Sequence, residues 1–349
     1  MKKRWMSAAL ALVLLLLTAC TGQSQPAAPE TVTFMAMDTV IGLTARGEGQ
    51  TAAIEETKAL ITGMEEELSR TREGSAIYAL NHGSGQPVQV SPLVQTLLQQ
   101  AQALYTLTGG RFDITIAPAA DLWGFTQKAF HVPEESEQQA VRARVGIEHL
   151  RLDGSTVQLD AGSELDLGGI AKGYALEQAK DIFARHDLSG GIANLGGDIL
   201  AYGSGSEGAP WRIGIRDPFL AGDESAYLGV LLSRDQYILT SGGYERYFEA
   251  DGRHYQHIID PASCAPAQSD LESVTVVTGL DGGAGTAADA LATALFVMGR
   301  EGAIAFWRES AFPFEMILVD EAGHVDVTQG LRDSFLPQKT DQYQYSFLQ

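Results

Sequence analysis

DGGAGTAADALAT, at residues 281–293, is the stretch that decides most about the fold. Three glycines in its first five residues favour a tight turn, and the alanine-rich residues after them favour a helix. The first amide groups of that helix have no acceptor within it and therefore attract anions. Asp289 and Thr293 lie on one face of the helix, where a carboxylate and a hydroxyl suit a hard cation such as Mg²⁺. A polar helix start that binds nothing would have the same pattern.

A second glycine turn, DLGGIAKG at residues 166–173, leads into a helix that the apolar spacing predicts over residues 170–185. Lys172 falls in the first turn of this helix, where a cation opposes the helix dipole. Its position suggests a bound anion, although a solvated lysine explains it equally well. The segment is neither a Walker A loop nor a dinucleotide-binding G-x-G-x-x-G, so neither of those nucleotide sites is indicated.

Two further polar segments are rich in glycine or histidine. NLGGD, at residues 194–198, lies in a strand predicted over residues 193–202, where paired glycines mark a bulge or the close approach of a ligand. SGGYERY, at residues 241–247, precedes HYQHIIDP, at residues 254–261. His257 could take a proton or hold a ligand, but a lone histidine is more often structural.

Strands and helices are mixed along the chain without strict alternation, which favours an α+β fold over a doubly wound parallel sheet. No linker rich in Pro or Ser divides residues 31–349, so we expect one compact unit of mixed sheets and helices, which could have two lobes. The remaining predicted elements are a strand over 31–45, helices over 51–68, from Pro92 to before Gly109, and over 133–145, a hairpin of 150–152 and 156–159, strands over 211–217, 226–232, 236–241, 255–259 and 273–277, a helix over 286–298 with a short one after it, and a hairpin near 315–328.

The start of the chain has the pattern of a bacterial lipoprotein signal. Three bases at residues 2–4 precede an apolar run over residues 8–17, which is too short to span a membrane comfortably. LTAC, at residues 17–20, then matches a lipobox, which predicts cleavage after Ala19 and a lipid on the thiol of Cys20. An ordinary signal peptide that happens to end at a cysteine is the alternative.

The predicted leader, residues 1–19, is followed by a small, polar stretch over residues 20–30 that is typical of a flexible tether. We therefore expect a protein of the bacterial cell membrane that is lipid-anchored and faces away from the cytoplasm. Cys264 is the only other cysteine, so once Cys20 carries a lipid, Cys264 has no disulfide partner within the chain.

Acidic residues outnumber basic ones 44 to 24, which gives a formal net charge of −20. Cleavage of the leader would remove three bases and no acids, and so shift the charge to −23. Because a protein that binds nucleic acid usually has a basic face, we expect no nucleic-acid partner.

Together, these segments resemble the ApbE family of FAD:protein FMN transferases. The resemblance runs from about Thr33 to beyond Gly299 and includes Met37-Asp38-Thr39, SRTREGSAIYALN at residues 69–81 and GRFDITIAPAADLW at residues 110–123. DLGGIAKG, NLGGD, SGGYERYF, HIIDP and ADALATALFV complete it. Each motif is weak alone, but their order and spacing over most of the chain are highly specific.

The resemblance implies an ApbE-like fold and an enzyme that uses Mg²⁺ to transfer the FMN half of its substrate FAD. The acceptor would be a Thr or Ser hydroxyl of a partner flavoprotein, which gains a phosphoester bond as AMP is released. His257 is the candidate proton acceptor and Asp289 the second catalytic residue. The implied metal ligands are Asp289, Thr293 and backbone oxygens of Gly169 and Ala171, and the implied flavin contacts are Met37, Thr71, Arg111, Phe112, Asp113, Asp166, Lys172, His257 and Ile258.

Two positions depart from the family pattern. Many members have an aromatic residue where Thr71 stands, and a smaller residue leaves room for water or a second metal ion. Hydrolysis of FAD to FMN and AMP is therefore an alternative or companion activity. Lys172 stands where some members have Glu, so its contact can differ from theirs. A lipoprotein that only binds flavin is a further alternative, although simple capture needs no metal ion.

Overall fold

Most helices and strands lie where the periodicity of the sequence predicts them. The computed structural model describes residues 28–220, 222–223 and 225–349. The predicted leader and Cys20 lie outside these residues, as does the predicted tether apart from its last three residues. The described residues therefore contain the predicted domain except for Ala221 and Glu224.

Helices lie where apolar residues recur at helical spacing. In the described chain the α-helices are α1 (Gln50–Leu68), α2 (Ala76–His82), α3 (Pro92–Leu107), α4 (Ala117–Leu122), α5 (Glu135–Arg142), α6 (Ala171–Arg185) and α7 (Ala284–Glu309). The predicted start of α3 is confirmed, because Ser91 Oγ accepts a hydrogen bond from Val94 N at 3.3 Å and a proline occupies the first turn. Gly109 and Gly110 follow its end with φ angles of 60° and 78°, as expected for a helix stop.

Most strands are short. In the described chain they are β1 (Glu30–Ala36), β2 (Thr39–Arg46), β3 (Val88–Gln89), β4 (Leu150–Asp153), β5 (Thr156–Leu159), β6 (Gly190–Leu195), β7 (Asp198–Gly203), β8 (Trp211–Arg216), β9 (Tyr227–Ser233), β10 (Gln236–Gly242), β11 (Tyr247–Ala250), β12 (Arg253–Gln256), β13 (Ile259–Asp260), β14 (Ala265–Pro266), β15 (Leu271–Gly279), β16 (Glu315–Asp320), β17 (His324–Thr328), β18 (Phe335–Pro337) and β19 (Gln344–Leu348). The predicted hairpins of β4 with β5 and of β16 with β17 are confirmed.

The largest sheet in the described residues has nine strands, in the order β1-β2-β6-β7-β10-β15-β16-β17-β19. Its neighbouring strands are antiparallel except for β17 and β19, which are parallel. Two three-stranded sheets, β18-β9-β8 and β3-β5-β4, accompany it. This mostly antiparallel sheet with its segregated helices confirms the predicted α+β class.

The two faces of the nine-stranded sheet are covered differently. One face packs against α1, α6 and α7, and Leu200, Leu239 and Val276 belong to the core between them. Because successive strand residues point to opposite faces, Ala201 and Ile238 lie in a second core beneath the sheet β18-β9-β8. The helix-covered face carries the two glycine turns that the sequence indicates.

Two segments that the sequence predicts as single strands are hairpins. The prediction over residues 31–45 is wrong because Met37 and Asp38, with φ angles of 52° and 57°, turn the chain between β1 and β2. The prediction over residues 193–202 is wrong because the glycine pair of NLGGD, with φ angles of 69° and 107°, turns it between β6 and β7. Two successive positive φ angles are typical of tight hairpin turns. The glycine pair therefore forms a turn and not a bulge.

Helix α7 is the buried centre of the fold. Its residues up to Phe296 are almost all buried against α6, β10 and β15. By length and composition the helix could cross a membrane, but this packing identifies it as a core helix. Gly299 interrupts it with a φ of 71° and a ψ of 175°, which confirms the predicted division into a longer and a shorter helix.

Candidate active site

The first turns of α6 and α7 cross at two glycines. A Cβ atom added to Gly173 would lie 2.3 Å from the carbonyl oxygen of Gly285, and one added to Gly285 would lie 2.8 Å from that of Gly173. Any larger residue at either position would push the helices apart. The two predicted glycine turns, which are far apart in the sequence, therefore meet in the fold.

Each of these helices supplies a carboxylate that caps the other. Asp289 Oδ2 of α7 accepts a hydrogen bond at 2.8 Å from the amide of Gly173. Glu177 Oε1 of α6 accepts one at 2.7 Å from the amide of Thr286. Both amides belong to the third residue of a helix, where unpaired donors attract anions. The sequence predicts anions at these helix starts, and the anions at these two amides are carboxylates of the chain itself.

The four predicted metal-ligand positions lie close to this crossing. A Cβ atom added to Gly169 would lie 3.4 Å from Thr293 Oγ1. Ala171 opens α6 two residues before Gly173, whose amide contacts Asp289. The fold thus brings the backbone of one glycine turn near the carboxylate and hydroxyl that follow the other.

The donors at the crossing suit a hard cation. One carboxylate, one hydroxyl and backbone oxygens are ligands that Mg²⁺ accepts, together with water. No group of three or more His, Cys, Asp or Glu side chains in the described ranges is arranged to hold an ion, so a cation here depends on this mixed set. Asp289 is 5% exposed, and burial together with the nearby Asp198 raises its pKa from 3.8 to about 7. A bound cation would offset that cost, so the residues fit Mg²⁺.

Lys172 is paired with a buried carboxylate and is not simply solvated. Its Nζ contacts Oδ2 of Asp198, whose Oδ1 accepts a hydrogen bond from Thr240 N at 3.0 Å. Burial alone would lower the pKa of Lys172, but Asp198 and Asp289 raise it above its ordinary value, so the ammonium stays charged. The sequence motifs alone predict no role for Asp198. Its position directly after the glycine pair of NLGGD is the signal that could have found it.

His257 is a neutral imidazole close to Lys172. Its amide donates a hydrogen bond to the carbonyl oxygen of Arg246 at 3.0 Å, and its Nδ1 atom is buried without a hydrogen-bond partner among the residues described. Burial, followed by the charges of Arg246 and Lys172, lowers its pKa from 6.5 to about 3. The ring is therefore unprotonated at neutral pH.

Comparison with known proteins places this arrangement in a family. The sequence profile described as the ApbE family matches residues 37–318, well over half of the chain. The chain belongs to the ApbE family. The resemblance stated from the sequence motifs is thereby confirmed.

The relatives are similar over most of their length. A Vibrio cholerae protein named FAD:protein FMN transferase is 35% identical over 281 residues, which cover 79% of this chain and 82% of that protein. A Treponema pallidum protein of the same name is 38% identical over 275 residues, which cover 74% of each. The crystal structure of the ApbE protein from Thermotoga maritima is similar with a TM-score of 0.76 at 28% identity, over 90% of this chain and 98% of that one.

The ApbE resemblance assigns flavin contacts to Arg111, Phe112 and Asp113. Phe112 is buried, with a ring atom 3.2 Å from where a Cβ atom of Gly169 would stand, so this segment reaches the crossing. Asp113 Oδ1 accepts hydrogen bonds from Thr115 N and Thr115 Oγ1 at 2.8 and 2.7 Å, and burial raises its pKa. Arg111 is half exposed, which makes it the most accessible of the three.

Asp166 is held by two contacts at the start of the glycine turn DLGGIAKG. Its Oδ1 accepts a hydrogen bond from Gly168 N at 2.8 Å, and its Oδ2 lies 3.6 Å from Arg70 Nη1. Arg70 also binds Asp121 through both Nη atoms, at 3.0 and 2.6 Å, and lies 3.4 Å from Glu164. Arg70 is therefore a second residue that the sequence analysis missed, although it lies inside a quoted ApbE segment.

Met37, a predicted flavin contact, lies in the β1–β2 turn next to the NLGGD turn. A Cβ atom added to Gly196 would lie 2.2 Å from Thr39 Oγ1, and Gly196 N donates a hydrogen bond to the carbonyl oxygen of Val40 at 3.2 Å. The two turns therefore stand side by side at one end of the sheet, where Asp198 begins β7.

Ile258 and Thr71, also predicted flavin contacts, differ in exposure. Ile258 is buried directly after His257. Thr71 is exposed, and its Oγ1 lies 3.3 Å from Ser69 Oγ. Within the described residues no hydrogen bond or ion pair joins Thr71 directly to Asp289.

Proposed function

We propose that this protein transfers the FMN half of FAD to a Ser or Thr hydroxyl of an acceptor flavoprotein and releases AMP. The observation that carries the proposal is the crossing of α6 and α7, which gathers Asp289, Thr293 and the turn at Gly169, with Lys172 of the same turn interacting electrostatically with a neutral His257. Membership of the ApbE family and the name of its relatives, FAD:protein FMN transferase, support it.

Asp289, Thr293 and backbone oxygens of Gly169 and Ala171 would hold Mg²⁺. When bound, Mg²⁺ withdraws charge from the pyrophosphate and stabilises the departing AMP. Asp289 is oriented for this role before any ligand arrives, because the amide of Gly173 fixes its Oδ2 at 2.8 Å. Gly173 and Gly285 keep the two helix starts close enough for that contact.

His257 orients the acceptor hydroxyl. Its unpaired ring nitrogen accepts the hydroxyl hydrogen bond while the acceptor oxygen forms a bond to the FMN phosphorus and the bond from that phosphorus to the AMP oxygen breaks. The hydroxyl proton leaves to the imidazole or to water. Because phosphoryl transfer depends chiefly on positioning, a weakly basic imidazole suffices.

Hydrolysis of FAD to FMN and AMP is a second candidate activity. The exposed, short side chain of Thr71 favours it, because water has room to take the place of the acceptor hydroxyl. A bulky replacement, Thr71→Tyr, is then expected to lower AMP release without acceptor and to leave transfer to the acceptor intact.

The release of AMP from FAD, measured with Mg²⁺ and with or without an acceptor flavoprotein domain, tests the proposal. Release that requires the acceptor indicates transfer, and release without it indicates hydrolysis. Stoichiometric FAD binding without any AMP would show a flavin-binding lipoprotein and contradict both activities.

We also propose that the protein acts at the outer face of the bacterial cell membrane. The leader over residues 1–19 and the lipobox at Cys20 support this placement. Replacement of Cys20 by alanine is expected to move the protein from the membrane fraction to the soluble fraction. An unchanged membrane fraction, together with an unmodified Cys20 thiol in the mass spectrum of the native protein, would contradict the anchor.

A further inference from the structure

Asp198 has both carboxylate oxygens engaged in the interior of the protein. It is 2% exposed, its Oδ1 accepts a hydrogen bond from Thr240 N at 3.0 Å, and its Oδ2 contacts Lys172 Nζ. It opens β7 directly after the glycine turn, so the backbone fixes its position from both sides. A residue so constrained holds its partner in one place.

Lys172 interacts with two buried carboxylates in different ways. It contacts Asp198 directly and is attracted electrostatically by Asp289, whose carboxylate the amide of Gly173 anchors at 2.8 Å. Glu245 attracts the same ammonium, so one positive charge is shared among three acidic side chains, and burial raises the pKa of both Asp289 and Glu245. A divalent cation at Asp289 would compete with the Lys172 ammonium for the same carboxylate.

The outcome of that competition depends on where the ammonium is held. Lysine carries its ammonium group on a flexible four-carbon stem. Without the attraction of Asp198, the ammonium of Lys172 would shift toward Asp289 and repel an incoming cation. Asp198 attracts the ammonium away from Asp289. Its negative charge also reduces the repulsion between that ammonium and the cation.

We propose that Asp198 is a positioning residue that holds and neutralises Lys172, and so keeps Asp289 available to a divalent cation. This inference rests on the proposed function, since it concerns the metal that flavin transfer would use. It assigns Lys172 to the control of metal affinity and makes Asp198, which lies outside the predicted ligand set, necessary for tight metal binding.

Isothermal titration calorimetry of the purified protein with MgCl₂, without FAD or acceptor, tests the proposed role of Asp198 directly. Asp198→Asn retains an oxygen for Thr240 N but removes the charge, so its Kd for Mg²⁺ should rise at least about tenfold. Lys172→Met removes the competing ammonium and should tighten Mg²⁺ binding. The double variant should return close to the wild-type Kd, because it removes the ammonium that Asp198 neutralises.

Asp217→Asn is the matched control, because Asp217 is also fully buried and contacts a lysine, Lys339, at 2.7 Å. It lies in a different core, so its replacement should leave the Kd for Mg²⁺ unchanged. Thermal unfolding of every variant reports whether the fold is retained. If Asp198→Asn does not fold, Lys172→Met decides: tighter Mg²⁺ binding supports the proposal, and unchanged or weaker binding overturns it.

Three results would overturn the proposal: wild-type affinity in Asp198→Asn, the same loss of affinity in the double variant as in Asp198→Asn, or no Mg²⁺ binding by the wild-type protein. Failure of flavin transfer with the expected Mg²⁺ pattern would contradict the proposed function and leave this inference standing, so the two are distinguishable.

Discussion

Two buried aspartates in this molecule each pair with a lysine, but the balance of charge around the two lysines differs. Asp217, directly after β8, contacts Lys339 Nζ at 2.7 Å, and the hydroxyl of Tyr343 donates to it at 2.8 Å. Asp198, at the start of β7, contacts Lys172, but Lys172 is also attracted by Asp289. The first pair is closed, with one ammonium for one carboxylate, whereas the second is open, with one ammonium shared among Asp198, Asp289 and Glu245.

The proposed function makes the open pair part of the site, whereas the closed pair only joins parts of the fold. The closed pair joins the C-terminal segment that carries Lys339 and Tyr343 to the loop after β8, and its charges cancel within the protein. The open pair leaves Asp289 without a full counter-charge at the crossing of α6 and α7, and burial with Asp198 raises its pKa to about 7, so either a proton or an added cation must neutralise it. A buried charge without a full partner is costly, so such a site is expected where a ligand completes it.

Replacement of Asp289 by asparagine should have the largest effect, because it removes the carboxylate charge on which the proposed Mg²⁺ site depends. The asparagine can still accept from Gly173 N, so the fold should persist. We expect the rate of AMP release to fall at least about 1,000-fold, with loss of Mg²⁺ binding. A turnover assay and calorimetry check this, and normal turnover would refute the metal assignment.

Replacement of Lys339 by methionine should break the closed pair and affect stability instead. It leaves Asp217 buried without its counter-ion, which should cost about 3–5 kcal/mol of unfolding free energy. Urea unfolding measures the loss, and the folded protein should transfer flavin at the wild-type rate. A stable variant with impaired transfer would show that the closed pair also serves the site.

Replacement of His257 by glutamine tests the site beside the open pair. If His257 orients the acceptor hydroxyl, kcat for transfer should fall by about 100-fold while the affinity for FAD is retained. Equal loss of FAD affinity would instead make His257 a binding residue. An unchanged kcat would remove it from the reaction.

The smallest expected effect is a difference between the wild type and His257→Gln in how stability depends on pH. The pKa of His257 is lowered from 6.5 to about 3 in the fold, so below pH 6.5 the unfolded chain binds a proton that the folded chain does not. The stabilisation is therefore complete above that pH and declines as the pH falls toward 3. Between pH 7 and about pH 4 the wild type should lose more unfolding free energy than His257→Gln. Parallel curves would contradict the lowered pKa.

Much of the fold could be predicted from local sequence. The apolar spacing in α1, α3 and α6 and the signal of Ser91 and Pro92 depend on neighbours in sequence, so they are readable without a structure. The two hairpins predicted as single strands were missed because Met37 is an unusual residue for a positive φ angle, and because the paired glycines of NLGGD fit a bulge as well as a turn.

The site could be predicted in position but not in its connections. Glycine turns and the spacing of Asp289 and Thr293 identify the helix starts, and motif order identifies the family. The contact of Lys172 with Asp198 joins residues 26 positions apart, and that of Gly173 with Asp289 joins residues 116 apart. Such contacts depend on how α6, α7 and β7 pack, which sequence periodicity does not specify.

Intact-mass spectrometry of an exported acceptor flavoprotein domain, incubated with the protein, FAD and Mg²⁺, tests the central claim most directly. The account predicts that the acceptor gains the mass of one FMN less water, with one AMP released per adduct, that Lys339→Met catalyses the same change, and that Asp289→Asn does not. An acceptor that stays unmodified although the protein binds FAD, or one that Asp289→Asn modifies equally well, would contradict it.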